Sequence, residues 1–241
     1  MSKHSSEKTQ PGILYVCGTP IGNLKDASFR LIEVLGEVDL IVCEDTRRTS
    51  KLLNYYDIKK PLMSLHEHVE RQRTEKVLHC LAEGQSVALV SDAGMPVISD
   101  PGAYLVSAAR IQGFVVTAIP GPSAITTALA ISGFYSPQFV FGGFPPRKSR
   151  KRIEFFAKWI QPQVPAVFFE SPYRLLDSLK DLMEIFPKIQ VSLCHEMTKI
   201  YESVIVGPVE EVHQELKDGE IKGEWVIVAY LRKENANGEK Q

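Results

Sequence analysis

Six short apolar runs rich in β-branched residues punctuate this chain, and each ends abruptly in small, acidic or turn-forming residues. Ile13-Leu14-Tyr15-Val16-Cys17 ends in Gly18-Thr19-Pro20-Ile21-Gly22-Asn23, and Leu40-Ile41-Val42-Cys43 in Glu44-Asp45-Thr46-Arg47. Val87-Ala88-Leu89-Val90 ends in Ser91-Asp92-Ala93-Gly94-Met95-Pro96, and the run 115–119 in Pro120-Gly121-Pro122-Ser123-Ala124. Ala166-Val167-Phe168-Phe169 leads to Glu170-Ser171-Pro172, and Val191-Ser192-Leu193-Cys194 to His195-Glu196. Continuous apolar runs of this length read as strands buried on both faces, as in largely parallel sheets. Their polar ends are expected to line one rim of an α/β fold, where ligands of open sheets bind.

Helical patterns fill the gaps. Apolar residues recur at helical spacing over 28–35, 70–82 and 102–112, the last two stopped by Gly84 and Gly113, and again over 173–186 ahead of Pro187. Strand and helix alternate as far as Ile119, the pattern of a parallel sheet with helical crossovers. An Ala-rich helix to Ile131 and a strand at 139–144 follow. Segments 201–206 and 225–231 are close enough to predict mixed or antiparallel pairing. The chain therefore divides into an N-terminal α/β domain (12–121) and a C-terminal α/β domain (122–232) with a cleft between them. Polar extensions at 1–11 and 233–241 read as disordered.

Among 241 residues, 44% are hydrophobic and 24% charged, as in a globular protein. No apolar stretch approaches the roughly 20 residues needed to span a bilayer, and the opening residues lack an apolar signal core. Cys17, Cys43, Cys80 and Cys194 are scattered without a C-x-x-C pair, which predicts a reduced, cytoplasmic protein with no zinc site. His66 and His68 form an H-x-H pair with no third ligand in view, so no metal is expected, although His66 remains a candidate for substrate contact. Neither G-x-G-x-x-G, the phosphate loop, nor G-x-S-x-G is present.

The formal net charge of −1 calls for no polyanionic partner. A local cluster does: Arg147, Lys148, Arg150, Lys151 and Arg152 put five cations among six residues at the start of a helical pattern. Cations oppose the helix dipole there. A solvated surface patch is the plain alternative to phosphate binding. Acids at strand ends carry a similar ambiguity, since Asp beside a helix start stabilises it without doing chemistry.

Together these motifs resemble the tetrapyrrole-methylase superfamily, and within it the bacterial ribosomal RNA small subunit methyltransferase I family. The motifs are Gly18 to Leu24, Glu44 to Arg47, Ser91 to Pro96, Ser99-Asp100-Pro101-Gly102 and Pro120 to Ala124. Phe141-Gly142-Gly143-Phe144-Pro145, Glu170 to Arg174, Glu196-Met197-Thr198-Lys199 and Lys222-Gly223-Glu224 extend the resemblance from about residue 12 to 231. Met95 departs from the pattern, which favours a smaller polar residue such as Thr.

The resemblance implies two α/β domains, a homodimer, and transfer of methyl from S-adenosylmethionine to the ribose 2′-hydroxyl of a decoding-centre cytidine. By the same resemblance, that nucleotide is expected to be the family's cytidine 1402 of 16S rRNA, presented within the assembled small subunit. Pro20, Gly22, Asp92, Ala93, Gly94, Met95, Ser123, Ala124 and Phe169 are the implied cofactor contacts. Asp100, Glu44 and Glu170 lead the candidates for a base on the 2′-hydroxyl, with Glu196 and His66 behind them. Arg47 and the basic run from Arg147 to Arg152 are the implied RNA contacts. Two alternatives stay open: a corrin or porphyrin C-methyltransferase, and a non-catalytic RNA-binding assembly factor.

Overall fold

The computed structural model describes residues 10–66 and 68–233, so most of both expected disordered extensions lies outside the described residues. The chain forms two compact units that meet between Ser123 and Ala124, two residues beyond the boundary expected from sequence.

The first unit is a five-stranded parallel sheet ordered β3-β2-β4-β1-β5, with β1 at Ile13–Cys17, β2 at Leu40–Cys43, β3 at Leu62–Ser64, β4 at Val87–Val90 and β5 at Val115–Ile119. Helices α1 (Phe29–Glu37), α2 (Thr46–Tyr55), α3 (Glu70–Ala82) and α4 (Ala103–Ile111) make the crossovers. Connections from β1 to β2 and on to β3 travel one way across the sheet; those to β4 and β5 return. Uniform crossover handedness then requires α1 and α2 on one face and α3 and α4 on the other. The core divides accordingly. Leu31, Leu35, Leu52 and Leu53 pack with Ile41, Cys43, Ala88 and Val90. Val77, Leu81, Leu105 and Ala109 pack with Leu14, Val42, Val87 and Leu89. Successive residues of β4 thus serve opposite faces, the period-2 rule of a strand buried on both sides.

The second unit is a mixed sheet ordered β6-β7-β10-β8-β9. Its strands are β6 (Val140–Gly143), β7 (Ala166–Glu170), β8 (Gln190–His195), β9 (Ser203–Pro208) and β10 (Trp225–Tyr230). Only β6 and β7 pair in parallel; β10 runs antiparallel to both β7 and β8. Helices α6 (Ser149–Trp159), α7 (Leu175–Ile185) and α8 (Val209–Leu216) cover one face through Phe156, Leu179, Leu182 and Val212. On the other face lies α5 (Ala124–Ile131), whose Ala128 carbonyl is 4.0 Å from Cys194 Sγ. The single rim expected for all six runs is therefore two rims: β1, β2, β4 and β5 end on one sheet, and β7 and β8 on the other.

Candidate active site

Three loops leaving the first sheet converge on bare backbone. The loop after β1 and the loop after β4 form a two-way bridge, with Thr19 N–H donating to Gly94 O at 2.9 Å and Gly94 N–H to Thr19 O at 3.1 Å. Thr19 Oγ1 also donates to the Ser91 carbonyl at 3.2 Å, and Ser91 Oγ to the Gly94 carbonyl at 3.1 Å. The loop after β5 closes against the first: a Cβ on Gly121 would lie 2.5 Å from the Gly18 carbonyl oxygen, so only glycine fits. Gly94 has φ of 81°, the left-handed region that a side chain disfavours. Beside it, Ala93 is exposed, and neither the Ala93 nor the Met95 N–H is used by another described residue.

The segment between Gly94 and α4 is held at both ends. Glu70 Oε1 on α3 accepts from Gly102 N–H at 2.9 Å and from Tyr104 N–H at 3.1 Å, capping α4 from outside its own sequence. Between these anchors Val97 and Ser99 sit at φ of 77° and 64°. A β-branched residue in that region is an outlier, and each such residue costs on the order of 1–3 kcal/mol. Strain of this kind survives where the surroundings dictate it, as they do around binding sites.

Four carboxylates gather at the same rim. Asp92 Oδ1 accepts from Asp45 N–H at 3.1 Å, and Arg48 Nε lies 3.4 Å from Asp92 Oδ2. Asp45 caps α2 through Arg47 N–H and takes the Arg47 guanidinium at 2.6 Å, which holds its carboxyl down to about 2. Burial and then the charge of Asp92 push Glu44 up. Burial, followed by the charge of Glu44, pushes Asp100 up to about 6, although a hydrogen bond from Ser91 opposes the rise. One acid here is stabilised as an anion and another is poised to trade a proton near neutrality, the division expected of an acid–base site. No cluster of metal-ligand type occurs among the described residues.

Sequence-predicted residues distribute unevenly. Pro20, Gly22, Asp92, Ala93, Gly94, Met95 and Ser123 belong to the converging loops, and the Met95 sulfur lies against Gly18, 2.6 Å from where a Cβ would stand. Glu44 and Asp100 join them. Arg47 is exposed and paired with Asp45. His66 is an exposed loop residue that lowers the pKa of Glu44. Ala124 and Phe169 belong to the second unit, where Phe169 stacks edge-on with Phe141 and Phe144.

Two candidates need correction. Glu170 is 3% exposed, with its oxygens taken by Ser171 N–H, Arg174 at 2.7 Å and Ser178 Oγ. It knots β7 to α7, and its burial beneath these three donors keeps it from a substrate hydroxyl. Arg152, 2% exposed, pairs with Asp181 at 2.6 Å and donates to the Arg147 carbonyl, so it is not a surface cation. Arg152 and Phe156 are both buried, four residues apart on the inner face of α6. Glu196 is likewise engaged, accepting from Lys199 and from Glu224 N–H. The residues that sequence reasoning missed are Arg48 and Glu70. Arg48 was legible only as part of the Glu-Asp-Thr-Arg-Arg run, and nothing local marks Glu70 as the cap of a helix 32 residues away.

Comparison with known proteins follows the same lines. The tetrapyrrole (corrin/porphyrin) methylase model matches residues 13–213. The ribosomal RNA small subunit methyltransferase I of Thermotoga maritima is 47% identical, over 90% of this chain and 97% of its own length. The protein of that name from Escherichia coli O157:H7 is 43% identical, over 95% and 81%. Among solved structures, the cobalamin biosynthetic enzyme cobalt precorrin-4 methyltransferase superposes with a TM-score of 0.67 at 15% identity, over 90% of this chain and 94% of that one. Uroporphyrin-III C-methyl transferase from Thermus thermophilus, complexed with S-adenyl homocysteine, gives 0.61 at 14%, over 91% and 97%. These last two speak for the fold. On motif order, fold and identity over nearly its whole length, the chain belongs to the tetrapyrrole methylase family and, within it, to the ribosomal RNA small subunit methyltransferase I group.

Proposed function

We propose that the protein transfers methyl from S-adenosylmethionine to a ribose 2′-hydroxyl of 16S rRNA, at the decoding-centre cytidine, within the small ribosomal subunit. The observation that carries this reading is the carboxylate-lined glycine loop cluster of the first unit in a chain whose relatives bear the rRNA methyltransferase name. What supports the cofactor reading is that the N–H groups of Ala93 and Met95, on either side of Gly94, are left unused by the described residues. Pro20, Gly22, Asp92, Ser123, Ala124 and Phe169 complete the proposed contacts. When bound, the cofactor supplies a methyl on a sulfonium, so no protein nucleophile or metal is required.

The chain's own residues then have two tasks. A ribose hydroxyl is a poor nucleophile until it loses its proton, and Asp100 is the proposed base, ionised above about pH 6. Glu44 raises its basicity, and Ser91 beside it acts in the opposite direction. Arg47, Arg147, Lys148, Arg150 and Lys151 are the proposed phosphate contacts. The same reading carries a cytoplasmic homodimer, checked by light scattering of the purified chain; among the described residues no helix is long and apolar enough to cross a membrane.

The test is transfer from labelled S-adenosylmethionine to small subunits lacking 2′-O-methylation, followed by mapping of the labelled nucleotide. Label on the decoding-centre ribose supports the proposal; cofactor binding without label on subunits or free rRNA overturns it. The fold-level neighbours favour one competing reading, carbon methylation of a tetrapyrrole, and a visible-absorbance titration with such a macrocycle discriminates it.

A further inference from the structure

Arg147, Lys148, Arg150 and Lys151 all stand in solvent at the start of α6. Their placement works against the helix. α6 opens with Lys148 at its cap and no acid in its first turn, so like charge meets the positive end of the dipole. Glu154 offsets Arg150 at 3.3 Å, while the side chains of Arg147, Lys148 and Lys151 form no ion pair among the described residues. The loop is also fixed from beneath. Buried Arg152 holds the Arg147 carbonyl at 3.2 Å, and Arg174 holds the Pro145 carbonyl at 3.0 Å. Cations kept for solubility alone need no such bracing.

Strands β6 and β7 are parallel neighbours, so the segments leaving them emerge at the same end of the sheet, about 5 Å apart. One carries Phe144, 56% exposed, and the other Tyr173, 93% exposed. Phe144 leans edge-on against Phe169, with centroids 5.4 Å apart, and is therefore braced. Cations beside exposed aromatic faces are the combination that holds unpaired nucleic acid, because phosphates take the charge and splayed bases take the rings. We infer that Phe144, Arg147, Lys148, Arg150, Lys151 and Tyr173 form a docking site for single-stranded RNA, with Tyr173 stacking on an unpaired base. The site rests on the proposed rRNA substrate and adds to it a preference for an unpaired strand.

Anisotropy titrations of the full chain test this with three labelled probes: a short oligocytidine RNA, an RNA duplex of equal length, and heparin, a polyanion without bases. Tyr173→Ala is expected to weaken oligocytidine binding on the order of tenfold, to leave its salt dependence intact and to spare heparin. Tyr173→Phe should stay within about twofold of wild type. The double variant Lys148→Ala/Lys151→Ala should lower the log–log salt slope by about 1.4 on the single strand. Unchanged binding by Tyr173→Ala, equal loss on heparin, duplex bound as tightly as single strand, or no binding of oligocytidine by wild type would each overturn the site. An acidic protein as the true partner would appear as charge dependence with no effect of Tyr173. Methyl transfer to small subunits, run in parallel, separates the two readings: transfer without a Tyr173 effect removes only the docking site. Strand-selective binding without transfer removes only the catalytic assignment.

Discussion

Replacing Asp100 with Asn should make the protein more stable and less active, and the pH dependence of the first effect can be worked out. Asp100 is partly buried near Glu44 and Asp92 and titrates near 6 rather than 3.8. At 1.36 kcal/mol per pKa unit, ionising it in the folded protein carries a penalty of about 3 kcal/mol. Its residual exposure lets solvent screen part of that, leaving about 1.5–2 kcal/mol. An acid whose folded pKa lies above its unfolded one binds its proton more tightly when folded. Its contribution is therefore complete below about pH 3.8, falls as pH rises, and is gone above about 6. Asn mimics the protonated form at every pH. Urea denaturation of both proteins should show almost no gap near pH 4 and an advantage for Asp100→Asn of about 1.5–2 kcal/mol at pH 8. A gap independent of pH, or a less stable variant at pH 8, would refute the electrostatic account. Turnover supplies the second arm: loss of a general base should cost about 10²–10⁴ in rate with cofactor binding kept. Wild-type activity should rise to a plateau above pH 6.

Other outcomes follow from single contacts. Arg152→Met strands Asp181 in the core and should cost about 3–5 kcal/mol in chemical denaturation, most of it recovered in Arg152→Met/Asp181→Leu. Gly121→Ala drives a methyl into the Gly18 carbonyl and should lose about 1–3 kcal/mol together with cofactor affinity, read by calorimetry; a wild-type titration would contradict the close approach. Burial pushes the Cys17 thiol to about 12 and Cys194 to about 11. A thiol reagent at pH 8 should therefore label Cys80 well before either, and mass spectrometry showing early label on Cys17 would contradict its burial.

Strands that form continuous apolar runs were readable: β1, β2, β4, β5, β7 and β8 all stand where the sequence predicts them, even though β5, at the sheet edge, is only partly buried. β3 was missed. It is three residues at a sheet edge, Leu62-Met63-Ser64, too short to show a period. α2 was missed because half of its positions are exposed, Arg47, Arg48 and Lys51 among them, with only Thr49, Leu52 and Leu53 buried. α8 buries just Val209 and Val212. At the site, chemistry that depends on a strand end was legible, as with Asp92 and Gly94. Chemistry that depends on a distant partner was not. The run from Arg147 to Arg152 looks uniform in sequence, yet Asp181, 29 residues on, turns its last member inward. The Glu170–Arg174 pair was equally hidden, because Glu170 ends a strand and Arg174 caps the following helix, so no helical spacing links them.

The place of β1 in its sheet sets a timetable for synthesis. β1 leaves the ribosome before both of its neighbours, β4 on one side and β5 on the other, and Cys17 meets Ile119 across 102 residues of chain. At about 5–20 residues per second, β1 waits roughly 5–20 s for that second neighbour. Until then its apolar edge is unpaired, and the glycine contact between Gly18 and Gly121 has no partner to form with. The loops that carry the proposed chemistry are thus among the last parts of the first unit to assemble, although the one after β1 is made long before the other two.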